Sequence, residues 1–248
     1  MKVRCGLALA VMIAGGLSAT ASAAELQPHP GDLIKIEGGG ACTLGFMFTG
    51  SDRGAYMSTA GHCLLGASTG SPKTWKVGAG PAVSTSDGQI GRLAFAENRP
   101  SAETDDSYDF ALIRLDKGVK GSPEIRVLGT PTGINSERGQ SPATLRTYGQ
   151  SVFSIASPAR EVLAPNTRHQ DHVYAHGPIF LGDSGAPVVD KDGRAVGTIL
   201  GGGLGSGGVG IGSVDMPHDG AFNIIGRLAP VVQHAASAMR IRLTLVQK

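Results

Sequence analysis

The chain has 248 residues, of which 38 are glycine and 17% are charged, and its formal net charge is +2. This composition excludes a coiled coil, disfavours disorder, and provides no basic surplus for a nucleic-acid binder that neutralises phosphates. A glycine-rich, charge-poor chain of this length suits one large all-β domain with short strands and tight turns.

The N-terminal residues have the pattern of an export signal. Lys2 and Arg4 precede an apolar run from Gly6 to Leu17, and small residues then end in Ala21-Ser22-Ala23. The run is too short to span a bilayer, which needs about 20 residues. We therefore expect residues 1–23 to be a cleaved signal peptide, and the mature chain to be secreted and free of the membrane.

Two cysteines remain after the predicted cleavage, because Cys5 leaves with the signal. An even number of cysteines in an exported chain favours a disulfide between Cys42 and Cys63. It would close a loop of about 20 residues and stabilise the fold by about 3 kcal/mol.

Short apolar runs alternate with turn residues along the mature chain. Strands are predicted at Leu33–Ile36, Cys42–Phe48, Ala55–Ser58, Phe110–Leu115, Ala143–Tyr148, Pro187–Val189 and Arg194–Leu200. Only Leu228–Arg240 has the spacing of a helix with one buried stripe, and Pro230 stands near its start, where proline is tolerated. We expect residues 24–248 to form one folding unit of two β subdomains, with a boundary near residues 120–140.

The segment from Gly201 to Gly212 is nearly all glycine. It contains a nominal dinucleotide-binding pattern at Gly205, Gly207 and Gly210, but no helix pattern follows it, as that fold requires. A hairpin whose backbone approaches another group closely is the better interpretation.

Three short motifs carry side chains suited to acyl transfer. Gly182-Asp183-Ser184-Gly185 presents a serine on a tight turn. Thr59-Ala-Gly-His62-Cys63 presents a histidine after one apolar strand, and Asp109 directly precedes a second apolar strand. Each motif alone is commonly structural. Together they provide a nucleophile, a base and a residue that orients the base, in the chain order His, Asp, Ser.

These motifs resemble the hallmark motifs of the trypsin-like serine proteases with the chymotrypsin fold. The resemblance covers roughly Ile34 to Leu245. The segment after Cys42 and the closing stretch Leu228–Leu245 are similar to the secreted bacterial branch typified by the streptogrisins. The resemblance implies two packed six-stranded antiparallel β-barrels and a C-terminal α-helix, with the catalytic groups in the cleft between the barrels.

The resemblance also implies the role of each catalytic group. Ser184 would attack, His62 would accept and return the proton, and Asp109 would hold the imidazole. The backbone N–H groups of Gly182 and Ser184 would form the oxyanion hole, while Asp183 would be structural. Weaker candidates are Asp105 and Asp106 for the orienting carboxylate and Ser58 and Ser213 for the nucleophile.

The specificity pocket is expected at Pro178, six residues before the serine, and at Leu200-Gly201-Gly202. These residues provide no charge for Arg or Lys, so a small or medium apolar side chain is expected before the cleaved bond. Asp219 is expected near another wall of the pocket, where its negative charge could reverse this preference in favour of Arg or Lys.

Other functions remain open from the residues alone. His169, His172 and His176, with Asp171, have zinc-type ligands, but their spacing matches no established motif, so neither a metal nor another cofactor is expected. A silent binding module on the same fold, or an esterase or amidase with a narrow substrate, would be compatible with the motifs. The leading hypothesis is a monomeric endopeptidase whose partner is a protein or peptide substrate.

The activation signal of the animal relatives is missing from the sequence. Those proteases free a new apolar N-terminus, typically Ile-Val-Gly-Gly. Here the corresponding segment reads Ile34-Lys-Ile-Glu-Gly-Gly-Gly40.

Overall fold

The computed structural model describes residues 26–66, 71–99, 108–151, 156–202 and 223–248. Several features of the sequence therefore lie outside the described residues: the predicted signal peptide 1–23, Cys5, Asp105, Asp106, the pattern at Gly205, Gly207 and Gly210, Ser213 and Asp219.

The described part of the chain consists mainly of strands. The first eight are β1 (Leu33–Ile36), β2 (Ala41–Thr43), β3 (Met47–Gly50), β4 (Ala55–Thr59), β5 (Lys73–Thr74), β6 (Ala82–Thr85), β7 (Gly88–Arg99) and β8 (Tyr108–Leu115). The others are β9 (Ala143–Tyr148), β10 (Ala159–Ala164), β11 (His172–Ala175), β12 (Pro187–Val189), β13 (Ala195–Gly202), β14 (Asn223–Arg227) and β15 (Leu243–Leu245). The two helices are α1 (His62–Leu65) and α2 (Leu228–Met239).

The first sheet has nine strands in the order β15-β3-β4-β8-β7-β6-β1-β2, with β5 paired to β7. Residues just after β2 bond to β4: the Gly45 N–H donates to the Ser58 carbonyl at 2.7 Å, and the Ser58 N–H donates to the Phe46 carbonyl at 2.9 Å. These bonds bring the chain after β2 back to β4. The sheet therefore curls into a barrel.

The second sheet has six strands in the order β10-β9-β12-β13-β14-β11. Its two outer strands meet at Leu163 and His176, whose backbones exchange hydrogen bonds of 2.8 Å in both directions. Along β10 the residues alternate between exposed and buried, as expected for a strand with one face against a core.

One hydrophobic cluster joins the two sheets and the C-terminal helix. Phe48, Phe110 and Leu112 from the first sheet lie in it together with Val189 and Ala195 from the second. The helix α2 adds a single apolar stripe made of Leu228, Val231, Val232 and Ala235. This stripe covers the junction of the two sheets, as an amphipathic surface helix does.

The predicted all-β architecture is confirmed, and so is the helix near the C-terminus. The second barrel has the expected six strands. The first barrel has nine strands instead of six. One extra strand arises because β2 and β3 are two pieces of one interrupted strand, and the other two are the short β5, which pairs with β7, and the C-terminal β15, which pairs with β3. The hairpin of β6 and β7 was not predicted, although Asp87-Gly88 is a typical turn dipeptide between them.

Candidate active site

Ser184 stands on a turn between β11 and β12 that requires its glycines. Gly182 and Gly185 have positive φ values of 95° and 90°, which side chains other than glycine rarely adopt. A Cβ added at Gly185 would lie 2.4 Å from the Thr43 carbonyl oxygen. The turn can therefore approach the first sheet closely only with glycine at this position.

Thr43, at the end of β2, ties this turn to the first sheet. Its N–H donates to the Ser184 carbonyl at 2.8 Å, and its hydroxyl donates to the Gly182 carbonyl at 2.7 Å. The Thr43 carbonyl in turn accepts the Thr59 hydroxyl at 2.9 Å. Ser184, the candidate nucleophile, is thus held against the first sheet, whose strand β4 leads to His62.

His62 is the first residue of the short helix α1, directly after β4. The predicted disulfide is present, and it joins Cys42 in β2 to the neighbouring Cys63, with a sulfur–sulfur distance of 2.04 Å. This cross-link fixes α1 against β2. Only 6% of the His62 side chain is exposed, so the imidazole has little freedom to move.

Asp109 lies in β8 and contacts His62 twice. The His62 backbone N–H donates to Oδ1 at 2.9 Å, and the imidazole Nδ1 lies 2.6 Å from Oδ2. A carboxylate only accepts hydrogen bonds, so Nδ1 carries the proton in this pair. The other ring nitrogen, Nε2, is then free to accept a proton.

The Ser184 hydroxyl oxygen lies 2.9 Å from His62 Nε2, so the hydroxyl donates to that nitrogen. The three predicted side chains therefore form one hydrogen-bonded chain from carboxylate to hydroxyl. Burial alone would lower the pKa of His62, but the charge of Asp109 and its hydrogen bond raise it above the usual value of 6.5.

The backbone N–H groups of Gly182 and Ser184 make no hydrogen bond to the described residues. Both belong to the turn that carries the Ser184 hydroxyl. Free N–H groups next to a nucleophile are what a developing oxyanion needs.

Asp183 is held by a buried arginine that the sequence analysis did not single out. Arg160 Nη1 lies 2.5 Å from Asp183 Oδ2, and the two side chains are only 2% and 0% exposed. The same carboxylate accepts the Phe180 N–H at 2.8 Å. The buried Arg160 side chain and the Phe180 N–H thus orient the turn. The available signal was that Arg160 occupies an inward position of the alternating strand β10.

The weaker nucleophile candidate Ser58 is fully buried and accepts the Phe46 N–H at 2.8 Å, so its role is structural.

Among the predicted pocket residues, Pro178 is exposed in the loop between β11 and β12. Leu200 packs into the hydrophobic cluster of the first barrel and is 9% exposed. No described atom lies within 4 Å of the position of a Cβ at Gly201.

Among the described residues, the only potential metal ligands whose donor atoms converge are Cys42, His62 and Cys63. Their sulfurs form the disulfide, and the histidine contacts Asp109 and Ser184. The histidines at 169, 172 and 176 are not part of such a group.

Within the described ranges, no helix is both long and apolar enough to cross a membrane.

Solved structures share this fold. The chain is 18% identical to Thermobifida fusca Protease A, covering 88% of this chain and 98% of that one with a TM-score of 0.52. Nocardiopsis protease shows the same identity and coverages, with a TM-score of 0.54. An alpha-lytic protease homologue, N4, is 19% identical over 87% and 98% of the two chains, with a TM-score of 0.52. These neighbours show that the chain has the same fold.

No curated protein matches the chain. The family model described as Trypsin matches residues 49–218, which is more than half of the chain and contains all three motifs. The chain therefore belongs to the trypsin family and is a serine endopeptidase.

Proposed function

We propose that the protein is a secreted endopeptidase that cleaves peptide bonds through His62, Asp109 and Ser184. The observation that carries this proposal is the unbroken hydrogen-bonded chain from Asp109 Oδ2 through the imidazole to the Ser184 hydroxyl. Two of these side chains come from the first barrel and the third lies just before β12 of the second. The nucleophile and its base are thus at the junction of the barrels.

The geometry supports a two-step acyl transfer. As Ser184 Oγ bonds to the substrate carbonyl carbon, its proton moves to His62 Nε2, and Asp109 stabilises the imidazolium that forms. The carbonyl oxygen becomes an oxyanion that accepts hydrogen bonds from the Gly182 and Ser184 N–H groups. His62 then donates its proton to the leaving amine, which leaves an acyl-enzyme. A water molecule, deprotonated by His62, hydrolyses the ester.

The proposed substrate pocket takes a small or medium apolar side chain on the residue before the cleaved bond. Its support is that Pro178, Leu200, Gly201 and Gly202 carry no charge, and that no described atom lies within 4 Å of a Cβ position at Gly201. A methylene more or less in such a pocket changes binding by about 1–3 kcal/mol, so the preference should be graded.

Secretion is part of the proposal. It rests on the charged and apolar pattern of residues 1–23 and on the disulfide between Cys42 and Cys63, which persists in oxidising compartments. The mature chain is proposed to act as a monomer on protein or peptide substrates, without a cofactor.

Digestion of a denatured proteome tests the proposed function. We expect the purified mature chain to create many new peptide termini, mostly after small or medium apolar residues, and the Ser184→Ala variant to create none above background. New termini from the variant at the wild-type rate would contradict the assignment of Ser184. A majority of cuts after Arg or Lys would contradict the proposed pocket.

A further inference from the structure

A second concave surface lies on the first barrel, away from the catalytic groups. This basic groove has a volume of about 1010 Å³ and is formed by the β3–β4 turn, the segment after β5, the end of β8 and the C-terminal end of α2. Arg114, in its wall, is five residues from Asp109 along β8, a separation of about 17 Å in an extended strand. A ligand in the groove would therefore leave Ser184 accessible.

Positive charge is concentrated in this groove. Six cationic side chains line it, against two carboxylates: Arg53, Lys76, Arg92, Arg114, Lys117 and Arg240, with Asp52 and Asp116. The whole chain carries a net charge of only +2, so the excess is local. Asp52 is already paired with Arg114 and also accepts the Tyr56 hydroxyl at 2.7 Å. Asp116 accepts the Gln89 amide at 2.6 Å.

Most of the cations have no anionic partner. The side chains of Arg53, Lys76, Lys117 and Arg240 make no hydrogen bond or ion pair with the rest of the described chain, and all four residues are exposed. Arg92 donates only to the Gly80 carbonyl, at 3.0 Å.

The sheet itself also places like charges side by side. Arg92 in β7 and Arg114 in β8 are direct register partners on adjacent strands, and like charges in this position cost stability. Asp52 compensates Arg114, whereas Arg92 has no carboxylate partner among the described residues. Because the unpaired cations come from four separate segments, they are spread along the groove rather than gathered at one point. This spacing suits an extended ligand with several negative charges better than a single phosphate.

The groove also contains apolar surface. Trp75, Val77, Met239 and Ile241 line it next to the cations, and Val77 is 75% exposed. A ligand that covers both kinds of surface needs carboxylates interspersed with apolar side chains. An acidic peptide has this chemistry, whereas a sulfated sugar chain offers charge with little apolar surface to bury.

We propose that the basic groove is a secondary binding site for an acidic, partly apolar peptide segment of the protein substrate. The site would retain substrates whose acidic segment is separated from the cleaved bond by at least about five extended residues. This inference depends on the proposed peptidase function only for the origin of the peptide. Binding in the groove can be measured without cleavage.

The test is fluorescence anisotropy of a labelled ten-residue peptide that alternates Glu with Leu and Phe. The protein is the full mature chain carrying Ser184→Ala, so that the probe stays intact. We expect saturable binding that weakens as salt is raised, because the charges are exposed. Adding Lys76→Glu and Lys117→Glu should weaken binding about tenfold or more.

Matched controls separate the groove from general charge. Lys35→Glu with Arg138→Glu makes the same change in net charge at exposed positions outside the groove, and should leave binding within about twofold. An equal loss of peptide binding in the groove pair (Lys76→Glu with Lys117→Glu) and in the control pair would overturn the proposal. So would equal binding of a peptide with Gln in place of Glu, or binding of a sulfated oligosaccharide but not of the acidic peptide.

A cleavage assay with otherwise wild-type enzyme distinguishes this inference from the proposed function. A substrate that carries the acidic segment should have a lower KM than one with a Gln segment, with kcat unchanged. Enzyme carrying Lys76→Glu and Lys117→Glu should show no such difference in KM. Equal KM values with normal turnover would overturn the groove alone. Absence of turnover on both substrates would contradict the peptidase proposal, while leaving the direct binding result to decide the groove.

Discussion

At the scale of single residues, the proposed attack by Ser184 depends on the charge state of one imidazole. Nδ1 of His62 is occupied by Asp109, so only Nε2 can take the serine proton. An imidazolium cannot do so, because both of its nitrogens already carry protons. In the proposed mechanism, the pKa of His62 therefore sets the acid limit of activity.

The first prediction concerns that limit. Burial lowers the pKa of His62, but the Asp109 carboxylate outweighs it and raises the pKa above 6.5. As pH falls, the neutral fraction therefore begins to disappear above pH 6.5. We expect kcat/KM, measured against pH, to fall with a midpoint above 6.5. In Asp109→Asn the rate should drop by about 10⁴-fold, because the imidazole tautomer is no longer fixed. A wild-type profile that stays flat down to pH 5 would remove His62 as the base.

The second prediction concerns the buried ion pair beneath the Ser184 turn. Arg160→Met leaves the Asp183 carboxylate buried at 0% exposure without its cation, a change that typically costs about 3–5 kcal/mol. Denaturant unfolding measures this loss, and Glu161→Gln, at the exposed neighbouring position, is the matched control. The double variant Arg160→Met with Asp183→Asn should recover part of the loss, because no charge is then buried. A loss under 1 kcal/mol in the single variant would show that the pair does not hold the turn.

At the scale of elements, the helix α2 is fixed to the first barrel by a polar contact as well as by its apolar stripe. His234 Nε2 lies 2.6 Å from Glu97 Oε2, and Glu97 is only 1% exposed. The imidazole also stacks on Tyr108, with ring centroids 4.3 Å apart. Tyr108 directly precedes Asp109 in β8. The C-terminal helix thus supports the strand that carries the candidate orienting carboxylate.

The third prediction follows from this contact. His234→Ala should destabilise the protein by about 1–3 kcal/mol, because it removes a partner from a buried carboxylate. Gln233→Ala, at an exposed position of the same helix, should change stability by less than about 0.5 kcal/mol. Thermal or denaturant unfolding of both variants is the measurement. Equal effects of the two substitutions would mean that the contact with Glu97 contributes nothing.

At the scale of the whole molecule, a hydrophobic cluster couples the two barrels. Each barrel has a hydrophobic cluster of its own, and a third cluster joins residues of both sheets and of α2, so unfolding either barrel would expose apolar surface of the other. The fourth prediction is therefore a single unfolding transition, with coincident midpoints for circular dichroism and for the fluorescence of Trp75. Two separate transitions would mean that the barrels are independent domains.

The sequence predicted the parts of the molecule that have local signals. Strands β1, β9 and β12 begin and end as predicted, and α2 ends one residue earlier than its apolar spacing suggested. The three motifs of the candidate active site were readable because each stands beside glycine or an apolar strand. Arg160 was missed because its partner Asp183 is 23 residues away in the chain. The basic groove was missed because segments distant in sequence form it, and no local pattern reports such a convergence.

The central claim is that Ser184 bears the attacking oxygen, and covalent labelling tests it most directly. A fluorophosphonate reacts with a serine hydroxyl only when a base has activated it. After incubation of the mature protein, peptide mass spectrometry should find one adduct, on Ser184, and none after Ser184→Ala. Ser58→Ala should retain the adduct, because that hydroxyl is buried in a structural hydrogen bond. An adduct on another residue, or undiminished labelling of Ser184→Ala, would contradict the account.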